Sequence, residues 1–300
     1  MGNVVVLGVF VADTAYRADR MPRMGETVLG NSFSLGPGGK GSNQAVAAGR
    51  LGADVAMISR LGQDDFAEMA LSTWKAAGVT PYVTQSPDDY TGAAYIFIEH
   101  ATGDNAIIIA PGAAANISAQ DLEDHADLIA AADVFVTQLE QPLGAAQRGL
   151  ELAKAAGVTT ILNPAPAVEL PAEMLALCDY VTPNETETEI ITGLPVTNEA
   201  EAAQAAAALH QMGVKTPIIT LGEKGAYLHG HGLIPAFSVG EVVETTGAGD
   251  AFNGGFAAAL SEGFTPVEAV RIGSATAGIS VTRAGTAPAM PSRAEVDALL

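Results

Sequence analysis

Short apolar runs alternate with helical patterns along nearly the whole chain of 300 residues. The run Val4–Leu7 ends at Gly8, as a buried parallel strand does. One βαβ unit is predicted from Val134–Val136, Leu143–Ala156 and Thr159–Leu162. This alternation predicts an α/β fold in which a mostly parallel sheet carries helices on both faces.

Two stretches break the alternation. Residues 13–35 show no helical period, and residues 92–112 contain the strand-like runs Ala93–Glu99 and Ala106–Ala110. Gly103 lies in the short connection between these runs, which predicts a hairpin. We expect the two excursions to pair into a small separate sheet that covers the carboxyl edge of the main sheet as a lid.

Helix boundaries follow from periodicity and from capping residues. Alanine-rich helices are predicted over Asn43–Leu51 and Ala251–Leu260. The segment that begins with Ser118 resembles a capping box, which predicts a helix running to about Ala131. The first two helices follow glycine-rich turns, so their starts mark candidate sites.

The chain is strongly acidic. It carries 34 Asp and Glu residues against 14 Lys and Arg residues, for a net charge of −20. Such a charge argues against a nucleic acid or an anionic membrane as a partner. An anionic nucleotide is compatible with this net charge, because helix termini and Mg²⁺ attract it locally.

Cysteine content and hydropathy bear on the compartment. Cys178 is the single cysteine, so an intrachain disulfide and a cysteine metal cluster are both excluded. No apolar run approaches the roughly 18 residues of a membrane span. The N-terminus lacks a basic targeting region, so a cytoplasmic protein is expected.

The segment Glu244–Gly255 carries the most chemical information. Gly247, Ala248 and Gly249 form a turn of small residues, and Asp250 follows at a helix start. The backbone N–H groups at a helix start attract phosphate, and a carboxylate there can take a proton from a hydroxyl. Together these features suggest phosphoryl transfer to an alcohol, although an ordinary turn capped by Asp250 would show the same pattern.

A second glycine cluster spans residues 36–43. Gly36, Gly38 and Gly41 match the dinucleotide-binding pattern, and Asp64 lies at a distance that suits a ribose-binding acid. A dehydrogenase is therefore a rival interpretation. Against it, the cluster does not follow the first strand, because Val4–Leu7 precedes it.

Several sequence blocks carry a family resemblance. One pattern is matched by Gly38, Gly39, Gly41, Asn43, Ala45, Gly52 and Gly62, and a second by Gly247, Ala248, Gly249 and Asp250. Further blocks are Gln138–Glu140, Leu162–Pro166, Thr182–Glu187, Thr220–Gly222 and Val281–Arg283. Because these blocks come in the order typical of the family, the chain resembles the PfkB family of carbohydrate kinases, and within it the ribokinases. The resemblance implies a ribokinase-like three-layer sandwich as one domain over residues 1–300, with a mostly parallel central sheet and a small β lid.

The resemblance also implies roles for single residues. Asp250 would be the base. In the turn that starts at Gly247, the backbone N–H groups of Ala248, Gly249 and Asp250 would hold the transferring phosphoryl group. The sugar hydroxyls would be bound by Asp13, Gly39, Lys40, Asn43, Glu140 and Asp250. Paired polar groups suit a polyol, because each hydroxyl both donates and accepts.

The nucleotide and metal sites are implied in the same way. ATP would be bound by Asn184, Thr220, Gly222 and Gly225. Asn184 and Glu187 would hold Mg²⁺, largely through water, as that ion prefers. A solvated carboxylate on a helix is the rival interpretation of Glu187.

Three positions depart from the pattern of this group. Val11 replaces the usual Asn, and a sugar hydroxyl facing it would lose about 1–3 kcal/mol. Glu244 replaces the usual Asp at a potassium site, and Ala289 replaces a frequent Ser. The rest of that K⁺ site would be supplied near Thr246, Ser280, Arg283 and Gly285.

The expected function is therefore an ATP- and Mg²⁺-dependent kinase that phosphorylates the primary hydroxyl of a pentose. Ribose is favoured because the other proposed hydroxyl-binding residues are present, and Val11 leaves 2-deoxyribose or fructose as alternatives. A non-catalytic sugar sensor or an NAD-dependent dehydrogenase is a distant alternative. The lid is expected to join two subunits into a homodimer, because its sheet edges and one apolar face need cover.

Overall fold

A computed structural model describes residues 2–300 of the chain. Its strands are β1 Asn3–Leu7, β2 Val11–Ala18, β3 Ser32–Gly38, β4 Asp54–Leu61, β5 Val79–Gln85, β6 Thr91–Glu99, β7 Asn105–Gly112, β8 Val134–Thr137, β9 Thr159–Leu162, β10 Tyr180–Val181, β11 Thr216–Thr220, β12 Ala226–Leu228 and β13 Gly232–Ile234. Its helices are α1 Lys40–Arg50, α2 Asp65–Ala76, α3 Ala119–Glu123, α4 Ala126–Ala130, α5 Leu143–Ala155, α6 Ala172–Leu175, α7 Glu185–Thr192, α8 Glu199–Gln211, α9 Ala248–Ser261, α10 Pro266–Ser280 and α11 Arg293–Asp297.

The larger sheet has nine strands in the order β13-β12-β11-β10-β9-β8-β1-β4-β5. β1 lies inside it and pairs in parallel with β4 and β8, so that Val5 stands opposite both Ala56 and Phe135. The pairs from β11 to β13 are antiparallel and form one edge. The predicted mostly parallel sheet is confirmed.

Side chains of β1 divide between two apolar clusters, one on each face of the sheet. Val4 and Val6 belong to the cluster that contains residues of α1, α2, α9 and α10. Val5 and Leu7 belong to the cluster that contains residues of α5 and α8. This alternation follows from the two-residue period of a strand, and it produces the predicted three layers. Within residues 2–300, no helix has the length and apolar character required to cross a membrane.

The smaller sheet has four strands in the order β3-β2-β6-β7. β2 pairs antiparallel with β3 and parallel with β6, so that Asp13 stands opposite Gly36 and Ala94. β6 and β7 form the predicted hairpin, whose turn contains Gly103 at a φ of 80°. The excursions thus pair as predicted, over residues 11–38 and 91–112. We refer to this sheet as the lid sheet.

Helix α1 begins at Lys40, three residues before the predicted start at Asn43. Gly41 lies so close to β1 that a Cβ on it would stand 2.6 Å from the Cα of Gly8. The start of α1 is therefore fixed by a tertiary contact that helix propensity does not report. Helix α9 also begins early, at Ala248 instead of Ala251.

One other prediction of regular structure is wrong, and one strand has no counterpart in the sequence analysis. The helix expected from Ser118 to about Ala131 is split into α3 and α4, because His125 has φ −120° and ψ 22°, outside the helical region. β5 was not predicted. It is an edge strand whose residues are mostly exposed and include Pro81, so it shows no apolar run.

Candidate active site

Polar residues follow the buried parallel strands at their carboxyl ends. Gln138, Asn163 and Thr182 come directly after β8, β9 and β10. Because the carboxyl ends of parallel strands lie at the same edge, these side chains meet there. Their amide and hydroxyl groups are buried and connect to the starts of α1 and α9.

The turn before α9 has the geometry of an anion site. Gly247 is the N-cap residue with φ 80°, a conformation that favours glycine. The N–H of Ala248 donates to the carbonyl of Thr245 at 3.1 Å, so it is engaged within the turn. Within residues 2–300, no backbone acceptor takes the N–H groups of Gly249 or Asp250. Two of the three predicted donors are therefore available at the helix start.

Asp250 is buried, with 6% of its surface exposed. Its Oδ2 accepts from Asn43 Nδ2 at 2.9 Å, and its Oδ1 accepts from Gln44 Nε2 at 3.1 Å. Burial raises the pKa of this carboxyl, while Lys40 and the two amide donors act in the opposite direction. The carboxylate is thus oriented by α1 and made more basic by its surroundings, as a general base requires.

The glycine loop before α1 brings the predicted sugar-binding residues together. A Cβ on Gly38 would lie 2.2 Å from Asp13 Oδ2, and a Cβ on Gly39 would lie 2.5 Å from the carbonyl oxygen of Val9. The backbone N–H of Lys40 donates to Glu140 Oε2 at 2.7 Å. Glycine is required at position 39, because its φ is 88° and an added Cβ would meet the backbone of Val9.

Acidic groups crowd this region. Burial, and then the charges of Glu244 and Asp250, raise the pKa of Asp13 to about 6. Burial also raises the pKa of Glu140 to about 7, although Lys40 opposes the change. A ligand that donates hydroxyl hydrogens would satisfy these carboxyl groups.

A cavity of about 540 Å³ opens beside Asp250. The predicted residues that line it are Lys40, Asn184, Glu187, Thr220, Gly222, Gly225, Gly247, Ala248, Gly249 and Asp250. The segment after β13 contributes Ala236, Phe237, Val239 and Val242, which were not predicted. Its apolar side chains give the far side of the cavity the character of a site for a planar ring.

Asn184 and Glu187 form a capping box at the start of α7. Asn184 Oδ1 accepts from the N–H of Glu187 and Glu187 Oε2 accepts from the N–H of Asn184, both at 2.8 Å. Burial raises the pKa of Glu187. Within residues 2–300, no three His, Cys, Asp or Glu residues are grouped to hold a metal ion. A metal bound here would therefore need water or ligand oxygens to complete its coordination.

The residues predicted for a monovalent cation lie on both sides of the α9 turn. Glu244 Oε2 accepts from the N–H of Gly285 at 2.8 Å. Ser280 Oγ donates to the carbonyl of Ala277 at 2.9 Å, and the Arg283 guanidinium bonds to Glu295. The structure thus brings Glu244 and Gly285 together, whereas the Ser280 and Arg283 side chains bond elsewhere. Thr246 is exposed and Ala289 is buried.

Asp64, the acid of the dehydrogenase interpretation, has a structural role. Its Oδ1 accepts from the N–H of Ala67 at 2.9 Å and caps α2, and its Oδ2 accepts from the N–H of Thr91 at 2.7 Å. Both carboxylate oxygens are therefore engaged in joining α2 to the start of β6, which speaks against a ribose-binding role.

Sequence comparison identifies the family. The sequence model of the pfkB family carbohydrate kinases matches residues 1–293. The chain is 40% identical over 297 residues to a ribokinase from Haemophilus influenzae, covering 98% of this chain and 96% of the relative. It is 37% identical over 299 residues to a deoxyribokinase from Salmonella typhi, covering 97% and 96%.

Structure comparison agrees. The structure of Arabidopsis thaliana ribokinase complexed with ribose and ATP has a TM-score of 0.95 and 32% identity, over 99% of this chain and 98% of that one. The match extends over both sheets, because nearly all of the chain is covered. The chain therefore belongs to the PfkB family of carbohydrate kinases.

Proposed function

We propose that this protein transfers the γ-phosphoryl group of ATP to the primary hydroxyl of ribose, giving ribose 5-phosphate and ADP. The observation that carries the proposal is the buried Asp250 carboxylate, which stands at a helix start with two free N–H groups and adjoins the cavity. Relatives named ribokinase and a solved relative with ribose and ATP support this choice of substrates.

Asp250 acts as the base in this scheme. It takes the hydroxyl proton while the sugar oxygen bonds to the γ-phosphorus and the bond to the bridging oxygen breaks, which releases ADP. The N–H groups of Gly249 and Asp250 donate to the phosphoryl oxygens and stabilise their negative charge. The Ala248 N–H can join them only if its bond to Thr245 opens.

The sugar lies against Asp13, Gly39, Lys40, Asn43 and Glu140. Asn43 binds Asp250 with its amide nitrogen, and its buried Oδ1 has no partner within residues 2–300. A buried acceptor without a donor is costly, so a sugar hydroxyl that donates to it would bind favourably. Lys40 supplies the positive charge that the surrounding carboxyl groups need.

The nucleotide occupies the cavity, with Asn184, Thr220, Gly222 and Gly225 at its wall. Gly225 has φ 113°, and a Cβ on it would lie 2.1 Å from the carbonyl oxygen of Ile234, so only glycine fits there. Gly225 thus keeps the β11–β12 turn packed against β13 at the wall of the cavity.

Two cations fit the donor groups. Asn184 and Glu187 would hold Mg²⁺ through water, and when bound it would neutralise charge on the phosphates. Glu244, with backbone oxygens near Thr246, Ser280, Arg283 and Gly285, would hold K⁺ beside the anion site. Glu244 keeps one oxygen beyond its bond to Gly285 for that purpose.

One residue near the proposed sugar site, Val11, favours 2-deoxyribose as a second substrate. Val11 is 4% exposed and belongs to the apolar cluster of Val9 and Ala94, two residues before Asp13 on the same face of β2. An apolar side chain there favours 2-deoxyribose. One lost hydrogen bond changes preference by only about tenfold to a hundredfold, so ribose is retained as the main proposal.

The test is a comparison of kcat/KM for ribose, 2-deoxyribose and fructose, repeated with Val11→Asn. If Val11 sets the preference, the substitution moves the ratio toward ribose by about tenfold. An unchanged ratio would show that Val11 does not act on the sugar. If no sugar in the panel stimulates ADP release, the proposed kinase activity is wrong.

We also propose that residues 1–300 work as a single domain whose lid sheet covers the sugar and pairs with the lid of a second subunit. Exposed Tyr16, Phe33, Leu35 and Ile108 support this pairing. Tyr16 and Phe33 stand opposite each other, with ring centroids 4.9 Å apart. A contiguous apolar face of this kind needs cover.

A further inference from the structure

A buried network of amide side chains lies directly behind Asp250. Gln44 is at its centre, in the second turn of α1, and is 1% exposed. Its Nε2 donates to Asp250 Oδ1 at 3.1 Å and to Asn163 Oδ1 at 3.0 Å, and its Oε1 accepts from Gln138 Nε2 at 2.7 Å. All hydrogen-bonding atoms of the Gln44 amide are therefore engaged.

The orientation of this amide is determined by Asp250. An ionised carboxylate only accepts hydrogen bonds, so Gln44 must turn its NH₂ group toward Asp250. Its carbonyl oxygen then faces Gln138, which must present its own NH₂ group. As a result Gln138 Oε1 is left buried and without a partner within residues 2–300. The unpaired Gln138 oxygen costs free energy, and the same arrangement of amides supplies a hydrogen-bond donor to Asp250.

The same network also reaches the backbone of the turn that precedes Asp250. Asn163 Nδ2 donates to the carbonyl of Thr182 at 3.2 Å, and Thr182 Oγ1 donates to Asn253 Oδ1 at 2.7 Å. Asn253 Nδ2 then donates to the carbonyl of Gly249 at 2.8 Å. Gln44 is thus linked by hydrogen bonds both to the Asp250 carboxylate and, through this chain of side chains, to the carbonyl of Gly249.

We propose that Gln44 is a positioning residue for the Asp250 base: it fixes the carboxylate rotamer in which Oδ2 faces the sugar side, next to Asn43, and it acts on the reaction only through Asp250. This inference rests on the proposed function. Gln44 itself need not touch either substrate, since it is 1% exposed and both atoms of its amide are bonded within the protein. A misplaced base lowers the rate of the chemical step more than it weakens sugar binding.

The experiment is a double-mutant cycle on the full-length protein, with sugar-dependent ADP release as the readout and ribose as the sugar. Gln44→Met keeps the side-chain length and removes the donor. It is expected to lower kcat by about tenfold to a hundredfold, the loss expected for one hydrogen bond to a charged group, with little change in the ribose KM. In an Asp250→Asn background, the same substitution is expected to cause no further loss.

Gln141→Met is the matched control. Gln141 is 4% exposed and donates to Thr137 Oγ1 at 2.8 Å, but it does not contact Asp250. It is expected to lower the unfolding temperature and to leave kcat nearly unchanged. If Gln44→Met does not fold, Gln44→Glu replaces it, because that side chain keeps the shape and puts a second carboxyl group against Asp250. Its kcat should fall at least as far.

Two outcomes would overturn the inference. One is a wild-type kcat in a folded Gln44 variant, and the other is an equal loss in the wild-type and Asp250→Asn backgrounds, which would indicate a general structural role. The cycle also separates this inference from the proposed function. Full activity in Asp250→Asn alone would remove Asp250 as the base, whereas an inactive Asp250→Asn beside an active Gln44→Met would contradict only the positioning role.

Discussion

At the scale of single residues, the site is defined by carboxyl groups that burial makes less acidic. Asp13, with a pKa raised by burial to about 6, and Glu140, with a pKa raised by burial to about 7, lie beside Asp250. Lys40 opposes the increase at Glu140 and at Asp250. Such crowding costs free energy in the empty protein, and it is expected where acids are arranged for binding or catalysis.

The raised pKa values predict the pH dependence of stability. Between about pH 4 and pH 7, the folded ligand-free protein keeps protons on Asp13 and Glu140 that the unfolded chain has lost. The contribution of these groups to the free energy of unfolding therefore falls as the pH rises through that window. Urea unfolding at several pH values should show this decline in the wild type and a shallower one in Asp13→Asn/Glu140→Gln. Equal slopes would contradict it.

At the scale of elements, the glycine loop before α1 sets the distance between the backbone and the acidic side chains. Gly39 has φ 88°, and a Cβ there would lie 2.5 Å from the carbonyl oxygen of Val9. The loop can hold this path only without a side chain at that position. A substitution in the loop therefore tests whether the path itself matters.

Gly39→Ala is expected to destabilise the protein by at least about 1–2 kcal/mol, the cost of a left-handed conformation, and to weaken sugar binding. Gly36→Ala is the control, because Gly36 lies three residues earlier, in β3, with nothing within 4 Å of an added Cβ. Its free energy of unfolding should change by less than about 0.5 kcal/mol. Chemical denaturation measures both variants. A Gly39→Ala protein as stable as the control would show that the loop can rearrange.

The elements that could be predicted from sequence are those with apolar patterns. The apolar run of β1 is buried, and the predicted bounds of β9, which ends in buried Ile161 and Leu162, match the structure. β5 shows no such pattern, because it is an exposed edge strand that contains Pro81. The early start of α1 depends on the approach of Gly41 to Gly8, a contact between residues distant in sequence.

The candidate site also contains residues that the sequence predicts and residues that it does not. Asp250, Lys40 and Asn43 stand in glycine motifs, so their family resemblance and their chemistry point to one site. Gln44 was not predicted, because a single polar residue in an alanine-rich helix carries no pattern of its own. Asn163 could have been found as a polar residue at the carboxyl end of a buried strand.

At the scale of the whole molecule, the lid sheet leaves apolar surface without cover. Phe33 is 56% exposed and Ile108 is 69% exposed, on β3 and β7 at the two edges of the sheet. We expect a homodimer that buries this face. Phe33→Glu/Ile108→Glu should shift the protein to monomer in sedimentation velocity, because charged side chains would be buried at the contact.

Val168→Glu is the control for this prediction, because Val168 is 41% exposed and lies outside the lid sheet. It should keep the oligomeric state of the wild type. A wild-type protein that sediments as a monomer at micromolar concentration would contradict the dimer. It would leave the role of the lid sheet over the sugar untouched.

If Asp250 takes the proton of a sugar hydroxyl during phosphoryl transfer, the Asp250→Asn variant must lose most of its activity. The variant keeps nearly the same shape but cannot act as a base at that position. Ribose-dependent ADP release should fall by about 10²–10⁴-fold in kcat, the usual share of general-base catalysis, while the fold is retained. A folded Asp250→Asn protein that releases ADP at the wild-type rate would show that Asp250 is not the base.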